Sequence, residues 1–426
     1  MIRLFILAWA TYFAILLILP VEILYGGSRE ALIVQLSFIV LVIVSYRAVA
    51  DLGRLPAQNR AVDTIAHTRM LVAVALAASI AGLAALVVDK LVIQGIDYTA
   101  GLAAAREQWR LEGLRRSGFS SPFSVVGYLL GNAYFVAIML AVAQFHCFSR
   151  RERFVIYLSA AALGLLNSIL TGGRSSLLLL AAFTVAALVV RDRVRLVDLF
   201  PRRWDRVSVA LIGLVGLGYA LYVTAERAST YDMTTALYVM DSSFVLGLPL
   251  KEWYIRTFDG SVLSDYLAAL VFAGTYLTHS FATVAAMIDA PADSKIIILS
   301  HVMQLLSRLG LVAPPDIEWF LSGRFPSLPG ALWFQFGSIG LVAGSVLVGA
   351  VSGLSTLWTA RHPHSLLPAG FQACCCVILL LSPLIFAGDL LAFPFIAVSF
   401  ILLAGIQAIA VWYAGRRPRT ALAADA

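Results

Sequence analysis

The sequence predicts an all-α, polytopic transmembrane helical bundle of about ten spans, with a large outer-face loop containing amphipathic helices. Three observations carry that prediction. Apolar residues make up 61% of the chain and charged residues 13%, with a mean hydropathy of +0.89, whereas a soluble domain is about half apolar and a quarter charged. The apolar residues fall in runs near the ~20 residues that a helix needs to cross the hydrocarbon core. Those runs do not alternate polar and apolar residues, as barrel strands would over ~10 residues. Helices remain, because in lipid only helices and closed barrels satisfy their own backbone.

In chain order the predicted spans are 4–24, 31–50, 70–93, 122–147, 154–171, 174–190, 207–225, 331–357, 366–388 and 390–413. The first, opened by Arg3, is long for a secretory signal and ends in no small-residue cleavage site. It is therefore read as a span. The organisation expected is an N-terminal membrane region (1–225), a large periplasmic loop (226–330), and a C-terminal membrane region with a cytoplasmic tail (331–426).

Charge orders the topology. The net charge is +7, and the only lysines are Lys90, Lys251 and Lys295, so the excess is arginine. Arg3, then Arg47, Arg54, Arg60 and Arg69, then Arg150, Arg151 and Arg153, all fall between spans or at their ends. So do Arg191, Arg193, Arg195, Arg202, Arg203 and Arg206, followed by Arg361 and the Arg416-Arg417-Pro418-Arg419 tail. With alternating spans all of these land on one side, which the positive-inside rule makes cytoplasmic, together with both termini. Topology thus accounts for the basic balance, and no nucleic-acid partner is expected. Cys147 and the consecutive Cys374, Cys375 and Cys376 lie within apolar runs, where membrane packing explains them better than a disulfide or zinc site.

Two loops break the simple pattern. Residues 94–121 face outward yet carry Arg106, Arg110, Arg115 and Arg116 near Trp109 and Leu111. That pattern fits a short interfacial helix resting on lipid headgroups, or a basic lip that gathers an anionic substrate. Within 226–330, the stretch 262–288 is apolar enough for a span, but one extra span would carry the C-terminal arginines to the wrong side. A second extra span would have to use 296–312, which holds His301, Gln304 and Arg308. Two or more amphipathic helices lying on, or dipping into, the outer face are expected instead.

Charges at the edges of membrane helices are costly and are functional candidates by default. Arg174 stands out, in the turn Thr171-Gly172-Gly173-Arg174-Ser175-Ser176 between two spans. Its glycines permit a tight turn, a serine can cap the next helix, and a guanidinium beside free N–H groups suits an oxyanion. A polar hairpin with one snorkelling arginine fits equally well.

This turn resembles the O-antigen polymerase family, the oligosaccharide repeat-unit polymerases. So do Tyr276-Leu277-Thr278-His279-Ser280-Phe281 and Trp333-Phe334-Gln335-Phe336-Gly337-Ser338-Ile339-Gly340, the latter opening a span that continues to Gly349 and Gly353. The resemblance covers most of residues 150–360. Each motif is short, and order and topology give the likeness its specificity. Family members often carry an acidic residue where Gln335 stands, so Gln335 is given no catalytic role.

The resemblance implies a glycosyltransferase of the bacterial inner membrane. It would polymerise undecaprenyl-diphosphate-linked repeat units into O-antigen, that is lipopolysaccharide, or exopolysaccharide at the periplasmic face. The energy lies in the glycosyl–diphosphate bond, so no nucleotide, cofactor or metal is implied. Expected partners are the lipid-linked glycans, membrane lipids and a chain-length-regulating co-polymerase. For the diphosphate, Arg174 leads, followed by Arg227, Arg256, Arg308 and Arg324, since a planar guanidinium binds phosphate oxygens bidentately. For a catalytic base, His279 and His301 lead, with Asp316 and Glu318 weaker. Tyr276 and Trp319 are candidates for stacking on sugars. Each has an ordinary alternative: a solvated arginine, a structural histidine, an aromatic of the membrane interface. No Asp-x-Asp pair, phosphate loop or metal-spaced cluster occurs, which disfavours nucleotide-driven chemistry. An O-antigen ligase-type transferase would share these needs. A flippase or other transporter would instead bury charges along a central pathway.

Overall fold

The computed structural model describes residues 1–53, 64–115, 120–171, 175–191, 207, 214, 218, 221–258, 260–290, 297–313, 321 and 324–416. Among these residues the regular structure is helical, apart from one isolated antiparallel bridge between Val21 and Leu250. The helices in order are α1 (Ile2–Ile18), α2 (Ser28–Ala50), α3 (Thr64–Val87), α4 (Leu102–Arg115), α5 (Pro122–Gly131), α6 (Tyr134–Ala143), α7 (Arg150–Thr171) and α8 (Ser175–Val190). They continue as α9 (Thr235–Val245), α10 (Val262–Asp289), α11 (Ser300–Arg308), α12 (Leu328–Arg361), α13 (Leu366–Leu381) and α14 (Ala392–Arg416).

The chain is an all-α polytopic membrane bundle. Among the described residues seven helical stretches are long and apolar enough to cross a membrane: Ser28–Gly53, His67–Ile93, Pro122–Ala143, Arg150–Thr171, Leu263–Asp289, Leu328–Arg361 and Ala392–Tyr413. The apolar helices α1, α8 and α13 are shorter. The predicted span 207–225 lies largely outside the described residues; 221–230 is helical.

Helix α2 illustrates why this composition requires lipid. Ala31, Val34, Phe38 and Val42 recur at helical spacing and are buried, while Ile33, Leu36, Val40 and Val44 on other faces are apolar and exposed. A helix apolar all round has no face for water. Helix α12 repeats the pattern with exposed Ile339, Val342, Val346 and Leu347, and α14 with Ile401 and Ile409.

The centre of the bundle is α6, whose residues Tyr134 to Val142 are all buried, packed among α3, α7, α8 and α14. Phe135 meets Phe183, which in turn meets Phe393 and Phe400. The predicted span 122–147 is two helices, α5 and α6, broken at Asn132 and Ala133, where the Asn132 side-chain amide donates to the Tyr128 carbonyl at 2.9 Å. The α2–α12 contact is the most extensive. Close approach there depends on Gly349 and Gly353: a Cβ at these positions would lie 2.6 Å from the Val42 carbonyl and 2.8 Å from the Tyr46 carbonyl. Small residues one turn apart serve this purpose in membrane helices.

One end of the bundle, the terminal face, gathers the ends of α2 and α12 and the start of α7. There Arg69 pairs with Glu152 at 3.2 Å and donates from Nε to the Cys147 carbonyl at 2.9 Å. The Arg191 and Arg153 guanidinium carbons lie 3.6 and 5.6 Å from the centroid of the Phe145 ring. Arginines from three separate connectors therefore converge on one face, as the charge pattern predicts.

The opposite end, the loop face, carries the 19–27 and 382–391 connectors. Helix α10 runs along the first of these. Leu19 rests on Gly274, and Gly27 lies against Ala285 and donates its N–H to Asp289 Oδ2 at 3.1 Å. Its Gly274–Asp289 stretch runs alongside this connector. The helix is embedded rather than superficial, with Ala268, Phe272, Phe281, Val284, Ala285 and Met287 buried. Helix α11 is the amphipathic element of the region. Helix α12 breaks at Gly337 (φ 65°, ψ −161°). The Leu332 side chain consequently lies beside Gly344, a separation that an unbroken helix would make ~18 Å.

Candidate functional site

The loop face holds the candidate site, and it is assembled from segments far apart in sequence. Tyr12 on α1 has its hydroxyl 2.7 Å from Ser280 Oγ, and Ser280 donates to the Pro383 carbonyl at 2.6 Å. Trp9 Nε1 donates to Ser382 Oγ at 3.1 Å. These bonds tie α1, α10 and the 382–391 connector together beneath the site.

His279 lies next to Ser280 and is 3% exposed. Its Nδ1 is 2.6 Å from the Tyr276 carbonyl, and its Nε2 accepts the Phe325 N–H at 3.2 Å. A carbonyl can only accept and an amide can only donate, so the proton sits on Nδ1 and the ring is neutral. Both nitrogens are engaged with backbone, so the imidazole anchors the 324–327 segment to α10. Phe325 is thereby fixed, and with it the preceding Arg324, whose Nη1 donates to the Tyr25 hydroxyl at 2.8 Å. Gly247 (φ 81°) allows this approach, since a Cβ there would lie 2.6 Å from the Tyr25 ring.

A succession of ring contacts leads to Arg324. Tyr231 stacks on Tyr238 with centroids 6.3 Å apart, Tyr238 meets Phe272 at 6.0 Å, and Phe272 meets Tyr276 at 6.3 Å. Tyr276 then meets His279 at 5.3 Å, and His279 meets Phe325 at 6.3 Å. Tyr231 and Tyr276 are exposed, at 66% and 40%.

His301 stands in the first turn of α11, half-buried, with Nδ1 3.5 Å from Ser300 Oγ. The stem before α11 is held from outside. Gln335 Oε1 accepts the N–H groups of Ile297 and Ile298 at 3.1 and 2.9 Å, and Asp389 Oδ1 accepts the Ser300 N–H at 3.2 Å. Burial pushes the Asp389 carboxyl up to about 7, against the opposing pull of the Leu299 and Ser300 amides. Asp389 was not among the candidates drawn from sequence. A signal for it existed: it is the sole Asp, Glu, Lys or Arg between Arg361 and Arg416.

Arg256 forms an exposed ion pair with Glu252 at 2.5 Å, the solvated arrangement. Arg227 is half-buried on the 221–230 helix. Its neighbour Glu226 accepts the Leu102 and Ala103 N–H groups and so caps α4. The carboxylate suits the positive end of that helix. Through it the basic 94–121 segment and the start of the large loop share one face. The expected short helix in 94–121 is α4, with Arg106 exposed. Arg308 closes α11, and its side chain lies outside the described residues. Arg174, Trp319, Asp316 and Glu318 lie outside the described residues as well. On the flanking helices, Asn167 donates to Ser176 Oγ at 3.2 Å and the Tyr98 hydroxyl donates to the Leu170 carbonyl at 2.9 Å.

Among the described residues no group of three His, Cys, Asp or Glu side chains is placed to hold a metal ion. No protein-family model, curated protein or solved structure matches the chain.

Proposed function

We propose that the chain is an oligosaccharide repeat-unit polymerase of the bacterial inner membrane, with its loop face periplasmic and both termini cytoplasmic. The observation that carries this reading is Arg324, held by Tyr25 and by the His279–Phe325 bond at the end of an aromatic track. Exposed tyrosines suit the faces of sugar rings, and a fixed guanidinium suits a diphosphate. In the reaction, a hydroxyl oxygen of one lipid-linked repeat unit attacks the anomeric carbon of the glycan carried by another. The bond from that carbon to the diphosphate oxygen breaks, and undecaprenyl diphosphate leaves with the electron pair. Arg324 and Arg174 would stabilise the departing diphosphate. The hydroxyl proton passes to a base. His301 fits that role better than His279, whose nitrogens both serve the backbone.

The test uses purified protein in nanodiscs with a polyprenyl-diphosphate-linked oligosaccharide, without nucleotide or ion gradient. Elongated glycan is expected, with a loss of ~100-fold or more in Arg324→Ala. Absence of transfer, or an Arg324→Ala variant at the wild-type rate, would refute the assignment. A ligase would leave preformed polymer on its lipid in a strain lacking the protein; a flippase would move lipid across the bilayer without lengthening the glycan.

A further inference from the structure

The 297–300 stem has an unusual set of partners. Three of its backbone N–H groups are accepted by side chains of two other elements: Gln335, just before the α12 break, and Asp389, at the end of the 382–391 connector. No side chain within α11 caps its own N-terminus. The residue at the cap position, Leu299, is held at φ 60°, a conformation uncommon for a residue with a Cβ and kept only where surroundings impose it. The connector that carries Asp389 is pinned at its other end, where Ser280 donates to Pro383, one residue from His279. The geometry points to a clasp: Gln335 and Asp389 together seat the 297–300 stem and so position His301 at the loop face. Asp389 is then a positioning residue, acting through His301. The catalytic half of this inference rests on the polymerase reading; the clasp itself does not.

The clasp has a definite dependence on pH. Asp389 is 8% exposed in the seated state, and its carboxyl titrates near 7 there, against 3.8 in its ordinary state. A carboxyl whose seated value is raised favours the seated state when protonated. Seating is therefore strongest below about 4, weakens as pH rises towards 7 and is flat above that. The turn bearing Asp389 packs against α11, α13 and α14. Their ionisable groups are His301 and Arg308, the thiols Cys374, Cys375 and Cys376, and Tyr413 and Arg416 at the far end of α14. The His301→Gln variant removes the imidazole while leaving Asp389 in place.

The experiment is amide hydrogen exchange of peptides covering 297–303 in the full-length protein in nanodiscs, from pH 5 to 9, corrected for intrinsic rates. Wild-type protection should fall ~10-fold per unit as pH rises towards 7 and level off above it. Asp389→Asn keeps an accepting carbonyl but cannot titrate, so its protection should be flat. Asp389→Ala should show low protection throughout, with unchanged exchange in α6 as the control for folding. Wild-type protection in Asp389→Ala, or a pH-independent wild type, would overturn the clasp. In the transfer assay, Asp389→Ala should lower turnover ~10–100-fold, and Asp389→Asn should flatten the pH profile while retaining activity. An intact clasp with no transfer by the wild type would refute only the polymerase reading. Transfer by Asp389→Ala at the wild-type rate and pH profile would refute the positioning role.

Discussion

Removing the Gln335 side chain should loosen one short segment by an amount the structure sets. In Gln335→Ala the N–H groups of Ile297 and Ile298 lose their shared acceptor, from bonds of 3.1 and 2.9 Å. Ile297 is 7% exposed, so its amide has little access to water in exchange. A buried donor left without a partner costs ~1–3 kcal/mol. Taking the low end for each gives about 2 kcal/mol, a ~30-fold rise in local opening. Gln335→Glu is the informative partner, because a carboxylate still accepts both amides. Hydrogen exchange of 297–303 at pH 8 measures both variants. Gln335→Ala should lose ~30-fold protection, and Gln335→Glu should stay within a few-fold of wild type. Protection in Gln335→Ala within threefold of wild type, or equal losses in the two variants, would sink the claim that this side chain holds the stem.

Other outcomes follow from the same contacts. Gly349→Ala and Gly353→Ala each place a Cβ under 3 Å from a carbonyl of α2, and should destabilise the protein by ~1–3 kcal/mol, read as a lower melting temperature in detergent. His279→Ala removes two bonds to backbone and should lower the melting temperature by more than His301→Ala does, at a cost of roughly 2–4 kcal/mol. Asp389→Asn should change how stability depends on pH. The wild-type carboxyl, raised to about 7, makes stability fall as pH rises from about 4 to about 7, by at most ~4 kcal/mol. Melting curves of Asp389→Asn should therefore lie above wild type by more at pH 8 than at pH 5; identical pH dependence in the two would contradict the buried-carboxyl assignment.

What the sequence determined by itself is the membrane architecture and much of its order. Hydropathy needs no tertiary information, because each span must satisfy its own backbone in lipid. The arginines needed only alternation of spans to fall on one side, and Arg69, Arg153 and Arg191 meet around the terminal face. The helical breaks at Asn132 and Gly337 were hidden because both interrupt stretches whose hydropathy is continuous. Residues 262–288 show the same limit: composition allows a crossing, and only the tertiary contacts reveal that α10 packs along the 19–27 connector, on Leu19 and Gly27.

The candidate site was legible as residue types but not as roles. His279 and His301 look alike in sequence, each on an apolar stretch. The Phe325 amide and the Tyr276 carbonyl, one of them brought from 46 residues away, commit the first to structure. Asp389 was visible as a lone charge between spans, yet its partner at Ser300 lies 89 residues distant. Local chemistry fixes which segments enter lipid; the long-range hydrogen bonds of a packed interior decide which polar side chains are spent on holding it together and which stand at its surface.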